Sequence, residues 1–150
     1  MIIIMNKKIW NSCIVSTLFL YLYWIYSKTL ICRSYNEIQR HNFQPFWSYE
    51  AIVADGKDEL LMENLLNILL FIPLGLLICF AYKAIKWWQV LLAGFCISIS
   101  IEVLQFSLKR GFAEFDDIFH NMCGCLLGYL LYVALRYYND KYSLAKFKRD

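Results

Sequence analysis

Glu102 is a carboxylic acid inside the third of four long apolar runs, where a side chain is expected to meet hydrocarbon. On a helix, Ser98, Glu102, Gln105 and Lys109 fall at i, i+4, i+7 and i+11, one polar stripe along a greasy segment. An ionisable group at mid-membrane costs roughly 2.5–3.5 kcal/mol on insertion scales, so it faces protein or a wet cavity and marks a functional site. The fourth run repeats the pattern, with Asp117, Asn121, Gly124 and Gly128 at the same spacing. In the second run, Asn64, Asn67, Phe71 and Gly75 share a face at nearly that spacing. Carboxylates and amides beside a guanidinium, Arg110, can hold a polar head group or move protons.

The elements that must position these groups are membrane spans. The chain has 150 residues, 60% hydrophobic and 18% charged, too little polar surface for a soluble domain of that length. The fold class that follows is all-α: a single-domain, polytopic membrane helical bundle of four transmembrane helices. The spans are residues 9–26, 60–82, 87–108 and 117–138, each able to cover about 30 Å of hydrocarbon at 1.5 Å per residue. The first follows Lys7 and Lys8 but lacks a small-residue cleavage site, so it reads as an uncleaved helix. Lys7 and Lys8, the turn with Lys83 and Lys86, and the tail with Arg136, Lys141, Lys146, Lys148 and Arg149 form the basic side. Glu37, Glu50, Asp55, Asp58, Glu59, Glu114, Asp116 and Asp117 lie on the other. The positive-inside rule then places both termini in the cytoplasm. Trp10, Trp87 and Trp88 mark the inner interface and Trp24 and Tyr26 the outer one. The basic residues form no stripe of the kind nucleic acid needs, so no nucleic-acid partner is expected.

With that topology the three stripes end at one depth, the outer leaflet. One reading is interhelical glue, worth ~0.6 kcal/mol per contact on average. The other is a polar site built from Asn67, Glu102, Gln105, Arg110, Asp116, Asp117 and Asn121, with Arg110 as counter-charge to Glu102 or Asp117. Asp116 is open to a second role, as a cap at the start of its helix. Pro73 interrupts the hydrogen-bond ladder of the second span, and Gly75 with Gly124-x-x-x-Gly128 suits close helix packing. The external loop, residues 27–59, carries Asn42, Phe43, Gln44, Pro45, Phe46 and Trp47, which either cap the bundle or anchor at the interface.

Other chemistries find less support. Five of the six cysteines, Cys13, Cys79, Cys96, Cys123 and Cys125, lie in apolar runs and read as small buried hydrophobes. Cys123 and Cys125 point about 200° apart on a helix and cannot pinch one metal. His120 could join Asp116 or Asp117 as a ligand, but no second histidine lies in a span, so neither metal nor cofactor is expected. Ser98 and Ser100 have no base nearby except Glu102, which argues against nucleophilic catalysis.

At these residues the chain resembles the VanZ-like family of small bacterial membrane proteins. The matching pieces are residues 67–75 with Asn67, Pro73 and Gly75, residues 100–105 with Glu102 and Gln105, residues 110–117 with Arg110 and Asp117, and Asn121, Gly124 and Gly128. Asn42, Pro45 and Phe46 resemble a further element, and order and spacing agree over residues 42–135. His120 and the cysteine pair are not part of the pattern. The resemblance implies an envelope setting and an association with low-level resistance to the glycopeptide teicoplanin. The first expectation is a non-enzymatic accessory protein that binds a membrane lipid or lipid-linked envelope precursor, anionic and held by Arg110 and amides. A second is a membrane-embedded acid–base enzyme using Glu102 and Asp117 beside Arg110. A third, a transporter component, requires a homo-oligomer.

Overall fold

The computed structural model describes residues 7–147; Lys148 and Arg149, counted above in the basic tail, lie outside them. The chain folds as an α-helical bundle of α1 (Lys7–Tyr26), α2 (Trp47–Asp55), α3 (Glu59–Ala81), α4 (Trp87–Leu108) and α5 (Phe115–Phe147). A π-helical turn, Ser27–Ile31, extends α1. Among the described residues, four helices are long and apolar enough to cross a bilayer: the α1 segment, α3, α4 and α5. Phe19, Leu20, Leu65, Leu92, Val103 and Leu130 stand exposed on their outer faces, an apolar girdle suited to lipid rather than water. The chain is a multi-pass membrane protein.

Helices α3 and α5 make the most extensive contact in the molecule, and small residues explain it. A Cβ on Gly124 would collide with the carbonyl oxygen of Ile68, and one on Gly128 with that of Ile72. Gly75 meets the backbone of Cys125 in the same way, so the two helices touch through their main chains. Pro73 lies within α3 and has no N–H to donate to the carbonyl of Leu69. One residue on, the carbonyl of Leu70 accepts a hydrogen bond from Tyr21 Oη at 2.8 Å, which ties α1 to α3. Around this wall Ile25, Phe71, Leu74, Val90, Ile101 and Cys125 form the core.

The segment between α1 and α3 caps the bundle; it does not trail along the interface. Its strand β1 (His41–Asn42) pairs in parallel with β2 (Ala113–Glu114), in the register His41 to Ala113 and Asn42 to Glu114. Tyr35 bridges to Arg110, Asn36 N donates to Lys109 O at 2.8 Å, and Asn36 Nδ2 donates to Gly111 O at 2.7 Å. Within the same segment, α2 is a helix of nine residues where a loop over residues 27–59 is expected. It is too short for a clear 3.6-residue period, and Gly56 in the left-handed conformation (φ 65°) ends it.

Candidate polar site at the capped end

Ser98, Glu102 and Gln105 are all buried, so the stripe on α4 faces protein. Glu102, only 5% exposed, lies six residues before the end of α4, about 9 Å from it at 1.5 Å per residue. Past that end Lys109 takes a left-handed conformation (φ 54°) and turns the chain back through β2 into α5. The turn brings the Glu114 backbone N–H onto Glu102 Oε2 at 2.9 Å. Glu114 Oε2 in turn accepts from Trp47 Nε1 at 2.8 Å. From α3, Asn67 Nδ2 donates to Asp117 Oδ1 at 2.6 Å. Asn67, Glu114 and Asp117, with Arg33, Glu63, Leu66 and Phe112, line a cavity of about 220 Å³.

Acids dominate the electrostatics of this cavity. Glu63, Glu114 and Asp117 lie in its wall, and the charge of Asp117 also reaches Glu102. Glu114, just outside the spans, has its carboxyl pushed up to about 8. Burial is the main cause and the charge of Asp117 the next, against the stabilising hydrogen bond from Trp47. Near neutral pH Glu114 can therefore either hold or release a proton. Arg33 is the cation in the wall, and its charge acts on both Glu102 and Asp117. Among the described residues, Arg33 is within ion-pair distance of none of these acids.

Several expected members sit elsewhere. Arg110 is not the counter-charge of Glu102 or Asp117: its Nη1 donates to the carbonyls of Leu30, Ile31 and Arg33 at 3.5, 3.1 and 3.4 Å. The reversal at Lys109 turns it toward the π-helical end of the first span, and Arg33 takes the place expected for it. Gln105 Nε2 donates to Thr29 O at 3.1 Å, and Asn121 Nδ2 to Ser98 Oγ at 2.8 Å, so both link helices and neither lines the cavity. Asp116, 1% exposed, caps a helix other than its own. It accepts from Phe46 N at 2.5 Å, Ser48 N at 3.0 Å and Ser48 Oγ at 2.6 Å, at the start of α2. Ser48 Oγ also accepts from Asn64 Nδ2 at 3.1 Å, so one carboxylate binds α2, α3 and α5 together. His120 Nε2 shares a hydrogen bond of 2.7 Å with Tyr49 Oη of α2.

Arg33, Glu63 and Glu114 escaped the sequence reading. Glu114 stands three residues before Asp117 and could have been found by that spacing; Arg33 follows the first span in irregular chain and gave no signal.

The VanZ/LLP1 family model matches residues 10–136 of this chain. Protein VanZ of Enterococcus faecium is 30% identical to it over 80 residues, covering 53% of this chain and 50% of that protein. The chain thus spans about half the length of that relative. No solved structure matches it. The match runs from the first span into the last and takes in every wall residue of the acidic cavity: the chain belongs to the VanZ/LLP1 family.

Proposed function

We propose that this VanZ-family membrane protein receives the polar head group of a membrane lipid or lipid-linked envelope precursor at the outer leaflet, and thereby lowers susceptibility to teicoplanin-type glycopeptides. The observation that carries this reading is the cavity of about 220 Å³ with three carboxyl groups and one guanidinium in its wall. Such a balance disfavours the purely anionic ligand that Arg110 and amides suggested. It suits a head group with an amine or hydroxyl donors toward Glu114 and Asp117 and a phosphate toward Arg33. Both termini face the cytoplasm in this reading, because Lys83, Lys86, Arg136 and Lys141 stand at the end opposite the cavity.

The test is expression in a glycopeptide-sensitive bacterium beside Glu102→Gln, Asp117→Asn and Arg33→Ala variants at matched levels. The wild-type chain is expected to lower teicoplanin susceptibility, and each variant to lose most of that effect. Equal susceptibility with and without the chain overturns the reading. Orientation is read from Gln44→Cys in a chain stripped of native cysteines: Gln44 is exposed, so an impermeant thiol reagent should label it in intact cells.

One observation favours a second reading, a membrane-embedded acid–base enzyme. Glu114, raised to about 8 beside Asp117, is suited to proton transfer near neutral pH. In that case Glu114→Gln abolishes a change in extracted envelope lipids that the wild-type chain produces. A binding protein leaves the lipid profile unaltered.

A further inference from the structure

A second and larger cavity, about 740 Å³, opens at the other end of the bundle. Trp10 of α1, Phe80 of α3, and Tyr132 and Leu135 of α5 make it apolar inside. Phe80 and Tyr132 meet edge to face with ring centroids 5.3 Å apart, which fixes one wall. Its polar lining is Lys83, Arg136, Asn139 and Asp140. Arg136 stands 21 residues beyond Phe115, so about 31 Å along α5, roughly one hydrocarbon thickness from the acidic cavity.

The charges of this cavity are not balanced from within. Lys83 and Arg136 are exposed, and neither forms an ion pair among the described residues. Asp140 is one turn from Arg136 and does not close on it. Two cations against one acid leave a net positive rim over an apolar interior, at the depth of a lipid head group. The exposed Trp10 belongs at that depth too, where an indole meets both tails and head groups.

We infer that this cavity is a binding site for an anionic phospholipid. The phosphate lies between Lys83 and Arg136, and the first acyl carbons run over Trp10, Phe80 and Leu135. Basic pockets between transmembrane helices bind anionic head groups by this combination of charge and apolar contact. The guanidinium of Arg136 can engage two phosphate oxygens at once, and Lys83 adds a point charge.

Native mass spectrometry of the full chain tests this, using mixed micelles with equal phosphatidylglycerol and phosphatidylcholine. The wild-type chain is expected to retain phosphatidylglycerol in preference, with the preference falling as salt rises. Lys83→Ala and Arg136→Ala should each reduce it about fivefold, from the attraction a single cation contributes near an anionic surface. Lys57→Ala, at the capped end, should leave it unchanged. Equal retention of the two lipids by the wild-type chain overturns the inference, and that arm requires no variant to fold. So does a double Lys83→Ala/Arg136→Ala variant that retains phosphatidylglycerol as the wild type does.

Discussion

The two ends of the bundle are built in opposite ways. At the capped end, buried acids and amides are tied by hydrogen bonds between residues far apart in the chain: Phe46 to Asp116, Trp47 to Glu114, Asn67 to Asp117. At the other end the α3–α4 turn is local, closed by Lys86 N donating to Gln89 Oε1 at 2.9 Å, and its cations remain exposed. A polar group under a cap must find its partner within the protein, whereas one at an open rim can take it from lipid or water. The capped end should therefore be sensitive to single changes and the open end tolerant of them.

The most forceful way to break this contrast is at the wall both ends share. Gly124→Val places a side chain against the backbone carbonyl of Ile68 and the Cβ of Phe71, with no room for either to yield. A loss of about 3 kcal/mol or more is expected, seen as a missing monodisperse peak in detergent. Asp116→Ala comes next and touches one end alone. It leaves the N–H groups of Phe46 and Ser48 and the Ser48 hydroxyl without their acceptor, at about 2–3 kcal/mol. Hydrogen exchange should quicken over residues 46–50 and stay unchanged in the α3–α4 turn. Equal quickening at both ends would erase the distinction.

A pH series sharpens it. The Glu114 carboxyl is raised from 4.5 to about 8 in the folded chain, so folding favours its protonated form. Its contribution to stability is complete below pH 4.5 and is lost as pH rises to about 8. Melting temperature should fall across that window, and Glu114→Gln should flatten part of the fall. The smallest effect belongs to the exposed pair Lys57 and Asp55, 2.9 Å apart: Lys57→Ala should change stability by less than about 0.5 kcal/mol in a thermal melt.

The helical stripes were legible in the sequence because a 3.6-residue period states which side chains share a face: Asn67 and Asp117 line the acidic cavity, and Glu102, behind it, accepts from the backbone of Glu114. Arg33 belongs to irregular chain and Glu114 to a strand of two residues, too short for a period to show. Their places are set by pairing between distant segments: Glu114 by the register of β1 with β2, and Arg33 by the hydrogen bond of its carbonyl with Arg110. The chemistry of a guanidinium, able to engage a carboxylate through two hydrogen bonds, points to Arg110 as partner of the acids. A turn with positive φ at both Lys109 and Gly111 reverses the chain and sends the Arg110 guanidinium to the end of the first span instead.

The cap on α2 has a consequence for how the molecule is made. Phe46 and Asp116 are separated by 70 positions. At a synthesis rate of about 5–20 residues per second, some ~4–14 s pass between the appearance of α2 and that of its cap. During that interval the start of α2 has only water for its N–H groups, and the cavity does not exist. A nascent chain stalled in the third hairpin would have inserted three helices in their final topology and still hold no acidic cavity. The segment between the first two spans is among the earlier parts of this protein to be synthesised and among the last to acquire its structure.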